Sequence, residues 1–153
     1  MNNKKPKPIG RTIKLCKQYN GLSQSELGEK AGFAKKTAGT RIGQYEGERI
    51  YANTQITAKL ARLLGIHRFA ISRLSVDSEL ETLHTIFKID MLYGLNWSKN
   101  GDVVSLSFPD NCKTVNRHLK KVYEARQALM RGEITYDDYN HIKNACGTYK
   151  KRK

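Results

Sequence analysis

The 153-residue chain has no long apolar run and is short of acidic residues. No stretch approaches the roughly 20 apolar residues that a membrane-spanning helix needs, so we expect no membrane span. The first residues carry lysine and proline and lead into an amphipathic stretch, which predicts no signal peptide and a cytoplasmic, nucleoid-associated location. With 14 Asp and Glu against 28 Lys and Arg, the net charge is +14. Such a charge attracts polyanions.

Cysteine is scarce and is not arranged for metal binding. Cys16, Cys112 and Cys146 are odd in number and far apart, without Cys-x-x-Cys spacing, which predicts reduced thiols. The four histidines stand alone in the sequence, which favours structural or surface roles. The sequence also has no glycine-rich phosphate loop and no Gly-x-Ser-x-Gly motif. We therefore expect no catalytic residues, no metal and no cofactor, and interpret the protein as a non-enzyme.

The charge is divided by segment. Residues 1–75 carry +11, residues 76–110 carry −4, and residues 111–153 carry +7. This pattern, together with the helical periodicity, predicts a flexible basic arm at 1–8, a helical domain at 9–75, an α+β region at 76–149 and a basic tail at 150–153. The fold class is mainly α.

Five short helices are expected between residues 9 and 75. The first is predicted at about 10–19, with Arg11, Lys14 and Lys17 facing away from its apolar stripe. Ser23 with Glu26 forms a capping-box pattern for a second helix at about 24–30. A third helix should begin near residue 37 or 38 and end at 46, a fourth should begin at 54, and a fifth helix or apolar turn should follow. In the third helix, Ile42 and Tyr45 are the expected buried residues.

The region after residue 76 combines helices with one hairpin. A helix is expected at 77–93, and alternating runs around residues 99–102 predict two strands, because Asn-Gly favours a hairpin turn. Two helices should follow, the second capped by Thr135 and Asp138. Two strands alone are marginally stable, so this hairpin must pack on a helix or on a partner chain. It forms either a dimer surface or part of a core beneath the last helices.

The sequence from Gly21 to Phe33, GLSQSELGEKAGF, followed by Gln44-Tyr45-Glu46-Gly47, resembles the Cro/lambda-repressor-like (XRE-type) helix-turn-helix family. The resemblance covers about residues 9–75 and implies a five-helix fold whose third helix enters the DNA major groove. One departure is about four extra residues near 34–39. They either lengthen the recognition helix or loop out Lys35 and Lys36.

The resemblance also implies which residues contact DNA. Thr40, Arg41 and Gln44 would read bases, since Arg suits guanine, Gln suits adenine and Thr suits a thymine methyl or a phosphate. Gln24, Lys35, Lys36 and Thr37 would contact the backbone, and Gln24 would also support the recognition helix. Glu46 is expected to hold the fold, because a carboxylate near phosphates is unfavourable.

These residues predict a sequence-specific regulator that binds double-stranded DNA. The resemblance favours a repressor of phage or mobile-element type, acting as a homodimer on a pseudo-palindromic operator. An alternative is an antitoxin or protein-binding module that binds a partner protein through 76–149 and regulates its own synthesis. RNA binding is a third possibility, for which only Trp97 and Phe108 could supply aromatic stacking from a sheet.

Overall fold

The computed structural model describes residues 7–73 and 78–148, and within them the chain forms seven α-helices, one 3₁₀ helix and a two-stranded sheet. In chain order the elements are α1 (Pro8–Tyr19), α2 (Gln24–Lys30), α3 (Lys35–Glu46), α4 (Thr54–Leu64), the 3₁₀ helix (Arg68–Ile71), α5 (Glu79–Tyr93), β1 (Asn96–Asn100), β2 (Val103–Ser107), α6 (Lys113–Met130) and α7 (Tyr136–Asn144). The expected fold class, mainly α with a small hairpin in the C-terminal part, is confirmed. The expected fifth helix is the 3₁₀ helix.

The described residues divide into two compact units. The first comprises residues 7–73 and 124–148, and the second comprises residues 78–123. In the first unit α7 packs against α1, so the end of the chain joins the N-terminal helices. The division at 9–75 and 76–149 stays a prediction from the sequence. The basic tail at 150–153 lies outside the described residues, as do residues 1–6 of the expected arm.

The core of the first unit is mainly aliphatic and is drawn mostly from α1, α2, α3 and α4. Leu27, Ile42, Leu60 and Leu64 have no exposed surface, and Ile13 is 2% exposed. Burial of each such side chain contributes about 1.5–3 kcal/mol. This shared core fixes α2 and α3 relative to the helices around them.

The helix starts follow local sequence signals. Ser23 and Thr135 each form a complete capping box, with Glu26 and Asp138 respectively, as expected from the sequence. α1 begins two residues earlier than expected, at Pro8, because the fixed φ of proline suits the first helical turn and its missing N–H is not needed there. Pro8 therefore belongs to the helix and not to the arm.

The hairpin is confirmed, but its turn is shorter than expected. Asn100 pairs with Val103, so the loop is only Gly101-Asp102, and Gly101 has a φ of +59°. Glycine at the first central position suits a two-residue hairpin turn. Residues 99 and 100, which we expected in the turn, lie in β1.

Candidate nucleic-acid interface

The corner between α2 and α3 is built from short-range contacts. The Ser23 backbone N–H donates to the Glu26 carboxylate at 2.7 Å, and the Glu26 N–H donates to Ser23 Oγ at 3.1 Å. The hydrogen bond from the Ser23 backbone N–H, followed by one from the Ser23 side chain, holds the pKa of the Glu26 carboxyl below its usual range. At the other end of α2, Gly32 takes a φ of +96° and the Phe33 N–H donates to Gly28 O at 3.0 Å. The chain can therefore turn sharply into α3.

Small residues bring α3 close to α2. A Cβ built on Gly28 would lie 2.5 Å from the carbonyl oxygen of Ala38, and one on Gly39 would lie 2.8 Å from Ser25 Oγ. Both distances are shorter than real Cβ contacts. At Gly28 the helix α2 meets the backbone of α3, and at Gly39 the helix α3 meets the side chain of Ser25. The position of α3 is fixed by this close packing.

Residues 35–39, where the resemblance implied extra residues, lie in α3 and do not form a loop. The helix begins at Lys35 instead of residue 37 or 38, and Ala34 is its N-terminal flanking residue. Lys35 and Lys36 therefore lie in the first helical turn. At about 1.5 Å per residue, the twelve residues of α3 extend roughly 18 Å.

The predicted contact residues are exposed to different degrees. Ala38, Ile42 and Tyr45 turn into the core. The backbone candidates Lys35, Lys36, Thr37 and Gln24 are exposed, as are Thr40 and Arg41, while Gln44 is half-buried. Residues 37, 40, 41 and 44 share one face of the helix, since they are three or four positions apart. The structure thus places the base-reading candidates together on the side of α3 that faces away from the core.

The C-terminal end of α3 is held by a buried polar network. Glu46 accepts a hydrogen bond from Gln24 Nε2 at 2.7 Å and pairs with Lys17 Nζ at 3.5 Å. The side chains of Lys17 and Glu46 are each 10% exposed. The expectation that Glu46 holds the fold is confirmed. The expectation that Lys17 faces away from the core is wrong, because its long stem lets the ammonium reach a carboxylate on another helix.

A second contact at the same end of α3 was not expected from the sequence. A Cβ on Gly10 would lie 2.1 Å from Glu46 O, so α1 also meets α3 backbone to backbone. Glu48, at a φ of +49°, accepts a hydrogen bond from the Gly10 N–H at 2.9 Å. Lys7 Nζ donates to Gly47 O. Glu48 therefore caps α1, a role that no local motif in the sequence indicates.

The histidines His67 and His141 and the thiol of Cys16 have structural contacts in the described part of the chain. Residues 7–73 and 78–148 contain no group of three or more His, Cys, Asp or Glu that could hold a metal ion. His141 stacks on Tyr19, and His67 accepts a hydrogen bond from the Phe69 N–H. Burial raises the pKa of the Cys16 thiol to about 11, which makes it a poor nucleophile. Within residues 7–73 and 78–148, no helix is long and apolar enough to cross a membrane.

Comparison with known proteins adds one similar structure. The similar structure is the crystal structure of the transcriptional regulator BswR, whose sequence is 25% identical to that of this chain. The match covers 54% of this chain and 94% of the BswR chain, with a TM-score of 0.40. No protein-family model matches the chain, and no curated protein matches it. At that TM-score the likeness to BswR carries no conclusion about function.

Proposed function

We propose that the protein is a transcriptional regulator that binds double-stranded DNA and reads its sequence with α3. The observation that carries the proposal is the outward face of α3, where Thr40 and Arg41 are exposed, Gln44 is half-buried, and Ile42 and Tyr45 anchor the opposite side. A helix held in this way can enter a major groove about 12 Å wide.

Each base-reading candidate has chemistry suited to a base edge. The Arg41 guanidinium can donate two hydrogen bonds to guanine O6 and N7, and the Gln44 amide can pair with adenine N6 and N7. Thr40 suits a thymine methyl or a phosphate. The Arg41 guanidinium lies 6.0 Å from the centre of the Phe33 ring.

The remaining candidates suit the phosphate backbone. Lys35 and Lys36 occupy the first turn of α3, so they can straddle the edge of the groove that the helix enters. Their two charges are part of the +11 that residues 1–75 carry. Gln24 can contact a phosphate only with the part of its amide that Glu46 does not use. These contacts position the protein and carry no sequence information.

The finer proposal is a cytoplasmic, nucleoid-associated repressor of phage or mobile-element type, of the XRE class, acting as a homodimer. A single helix contacts too little DNA for tight specific binding, which supports two copies on a pseudo-palindromic operator. Two half-sites about one helical turn apart would then face the same side of the duplex.

Selection of binding sites from a random duplex library, followed by titration, tests this proposal. We expect the double variant Arg41→Ala/Gln44→Ala to lose most of the preference for the selected site over random duplex. The matched control, Arg126→Ala/Gln127→Ala, removes the same two residue types from α6 and should retain the preference for the selected site. If Arg41→Ala/Gln44→Ala still prefers the selected site, the assignment of these residues as the ones that read bases is wrong.

Salt dependence separates the backbone contacts from the base contacts. Lys35→Ala and Lys36→Ala should each reduce the slope of log K against log salt by about 0.9 and leave the site preference unchanged. A changed consensus sequence in either lysine variant would contradict their assignment to the backbone.

An antitoxin or partner-binding module is the second candidate function. The observation that favours it is the exposed apolar surface of residues 78–123, which could receive another protein. Co-purification of one specific small protein with the chain in equal amounts would support this candidate.

A further inference from the structure

The second unit exposes apolar side chains that a stable unit would bury. None of its described residues, 78–123, is buried. Twelve large apolar side chains of this unit are exposed by 38% or more: Leu80, Leu83, Phe87, Met91, Leu92, Tyr93, Trp97, Val103, Val104, Leu106, Leu119 and Tyr123. The first unit, by contrast, has a dense core. A surface with this much apolar area is typical of an interaction site.

Helix α5 shows the mismatch most clearly. Eight of its fifteen residues are apolar, and they are distributed around the whole helix instead of forming one stripe. A helix that is apolar on every side is normally buried. In α5, Met91 is 88% exposed and Leu92 is 76% exposed, although they lie on different sides. A partner that packed against only one side of α5 would leave apolar side chains on the other sides exposed. The helix therefore needs contacts around most of its circumference.

The hairpin has one apolar face that is also uncovered. Trp97 pairs with Leu106 across the strands, and Val104 lies on the same face, where it pairs with Lys99. The three apolar side chains are exposed, by 51%, 38% and 58% respectively. The opposite face carries mostly Ser and Asn. A two-stranded sheet of this kind needs a partner on its apolar face.

The charges of the unit favour a second copy of the chain as that partner. Residues 78–110 hold five acidic and two basic side chains, whereas residues 113–123 hold four basic side chains and no acidic one. In a two-fold pair, the acidic stretch of one copy can face the basic start of α6 in the other, and the same contact forms twice.

The available area is also sufficient. These twelve large side chains, exposed by 38–88%, together offer on the order of 1,000 Å² per copy. A standard specific interface needs about 800 Å² from each partner. The apolar surface of the unit therefore matches one whole interface.

We propose that residues 78–123 form a self-association module, in which α5 and the apolar face of the hairpin are enclosed by the same elements of a second copy. The inference rests on the proposed function in that it specifies the surface of the proposed homodimer. The contact is independent of DNA, since it uses no residue of α3.

Sedimentation velocity of the full chain without DNA, at roughly 1 to 100 µM, tests the proposal. We expect wild type to be a dimer, and Met91→Lys to raise the dimer dissociation constant by about 100-fold or more. The matched control, Met130→Lys, changes the same residue type in the last turn of α6, at 74% exposure, and should dimerise like wild type. Val104→Lys, on the hairpin face, should act like Met91→Lys.

The single tryptophan provides a second readout. Trp97 emission should shift to the blue as the wild-type chain dimerises, and the shift should disappear in Met91→Lys at equal helix content by circular dichroism. A wild-type chain that stays monomeric at the highest concentration would overturn the proposal, as would equal effects of Met91→Lys and Met130→Lys.

The DNA-binding proposal and the dimer proposal can fail separately. Arg41→Ala/Gln44→Ala should dimerise normally, so loss of DNA recognition in that variant leaves the interface in place. A monomeric wild-type chain that binds one specific duplex would instead overturn the interface and leave the DNA-binding proposal intact.

Discussion

The buried ion pair between Lys17 and Glu46 makes a sharp prediction about stability. Both side chains are 10% exposed and their charged atoms are 3.5 Å apart. The pair links α1 to the C-terminal end of α3, where Gln24 from α2 adds a hydrogen bond. Removing one charge therefore leaves the other charge unpaired in a site with little water.

The magnitude follows from the geometry. At an effective dielectric constant of 20, unit charges 3.5 Å apart attract by about 5 kcal/mol, part of which is offset by the loss of hydration. Breaking a buried pair by removing one partner typically costs about 3–5 kcal/mol. With partial exposure, we expect Glu46→Gln and Lys17→Met each to lower the free energy of unfolding by about 2–4 kcal/mol.

A double-mutant cycle measures the coupling. The combined variant Lys17→Met/Glu46→Gln should lose less than the sum of the single losses, by about 2 kcal/mol, in urea unfolding followed by circular dichroism. The control pair Arg131–Glu133 is closer, at 2.6 Å, but more than half exposed, so its cycle should show little coupling. Additive losses at Lys17 and Glu46 would refute the proposed coupling.

Three further predictions concern packing, thiol reactivity and pH. Gly28→Ala should lower the free energy of unfolding by about 2–3 kcal/mol, because the new Cβ would meet Ala38 O. Gly21→Ala has open space around it and should lower the free energy of unfolding by only about 1 kcal/mol, because of its positive φ. Thermal unfolding of the two variants compares these effects. In the folded protein at pH 8, Cys112 and Cys146 should react with a thiol reagent while Cys16 reacts only on unfolding, so three fast thiols would contradict its burial. Hydrogen bonds from Ser23 and Thr135 lower the pKa of Glu26 and Asp138 in the folded state, so their stabilisation is present at neutral pH and is lost as pH falls through the folded-state pKa. The difference in melting temperature between wild type and Glu26→Gln should therefore shrink below about pH 4.

Local signals in the sequence predicted the elements of the candidate site well. A capping box involves residues three positions apart, so Ser23 and Thr135 could be identified without any tertiary information. The outward face of α3 followed from helical periodicity, since Ile42 and Tyr45 are buried as expected. The start of α3 could not be fixed, because Lys35 and Lys36 suit both a helix and a loop.

Contacts between distant residues could not be predicted in the same way. Lys17 looked like a surface residue, and only the packing of α1 against α3 shows that it meets Glu46. The bond from Gly10 to Glu48 likewise joins two helix ends with no shared motif. The sequence also predicted a helix at 77–93, but not that the apolar residues of α5 surround the helix and remain exposed.

The base preference of α3 tests the central claim most directly. Sites selected from a random duplex library by wild type and by Gln44→Arg should differ at one base pair per half-site, with adenine replaced by guanine, because Arg pairs with guanine where Gln pairs with adenine. The rest of the consensus should not change. An identical consensus for both proteins, or no enriched sequence for wild type, would contradict the account of α3 as the helix that reads DNA.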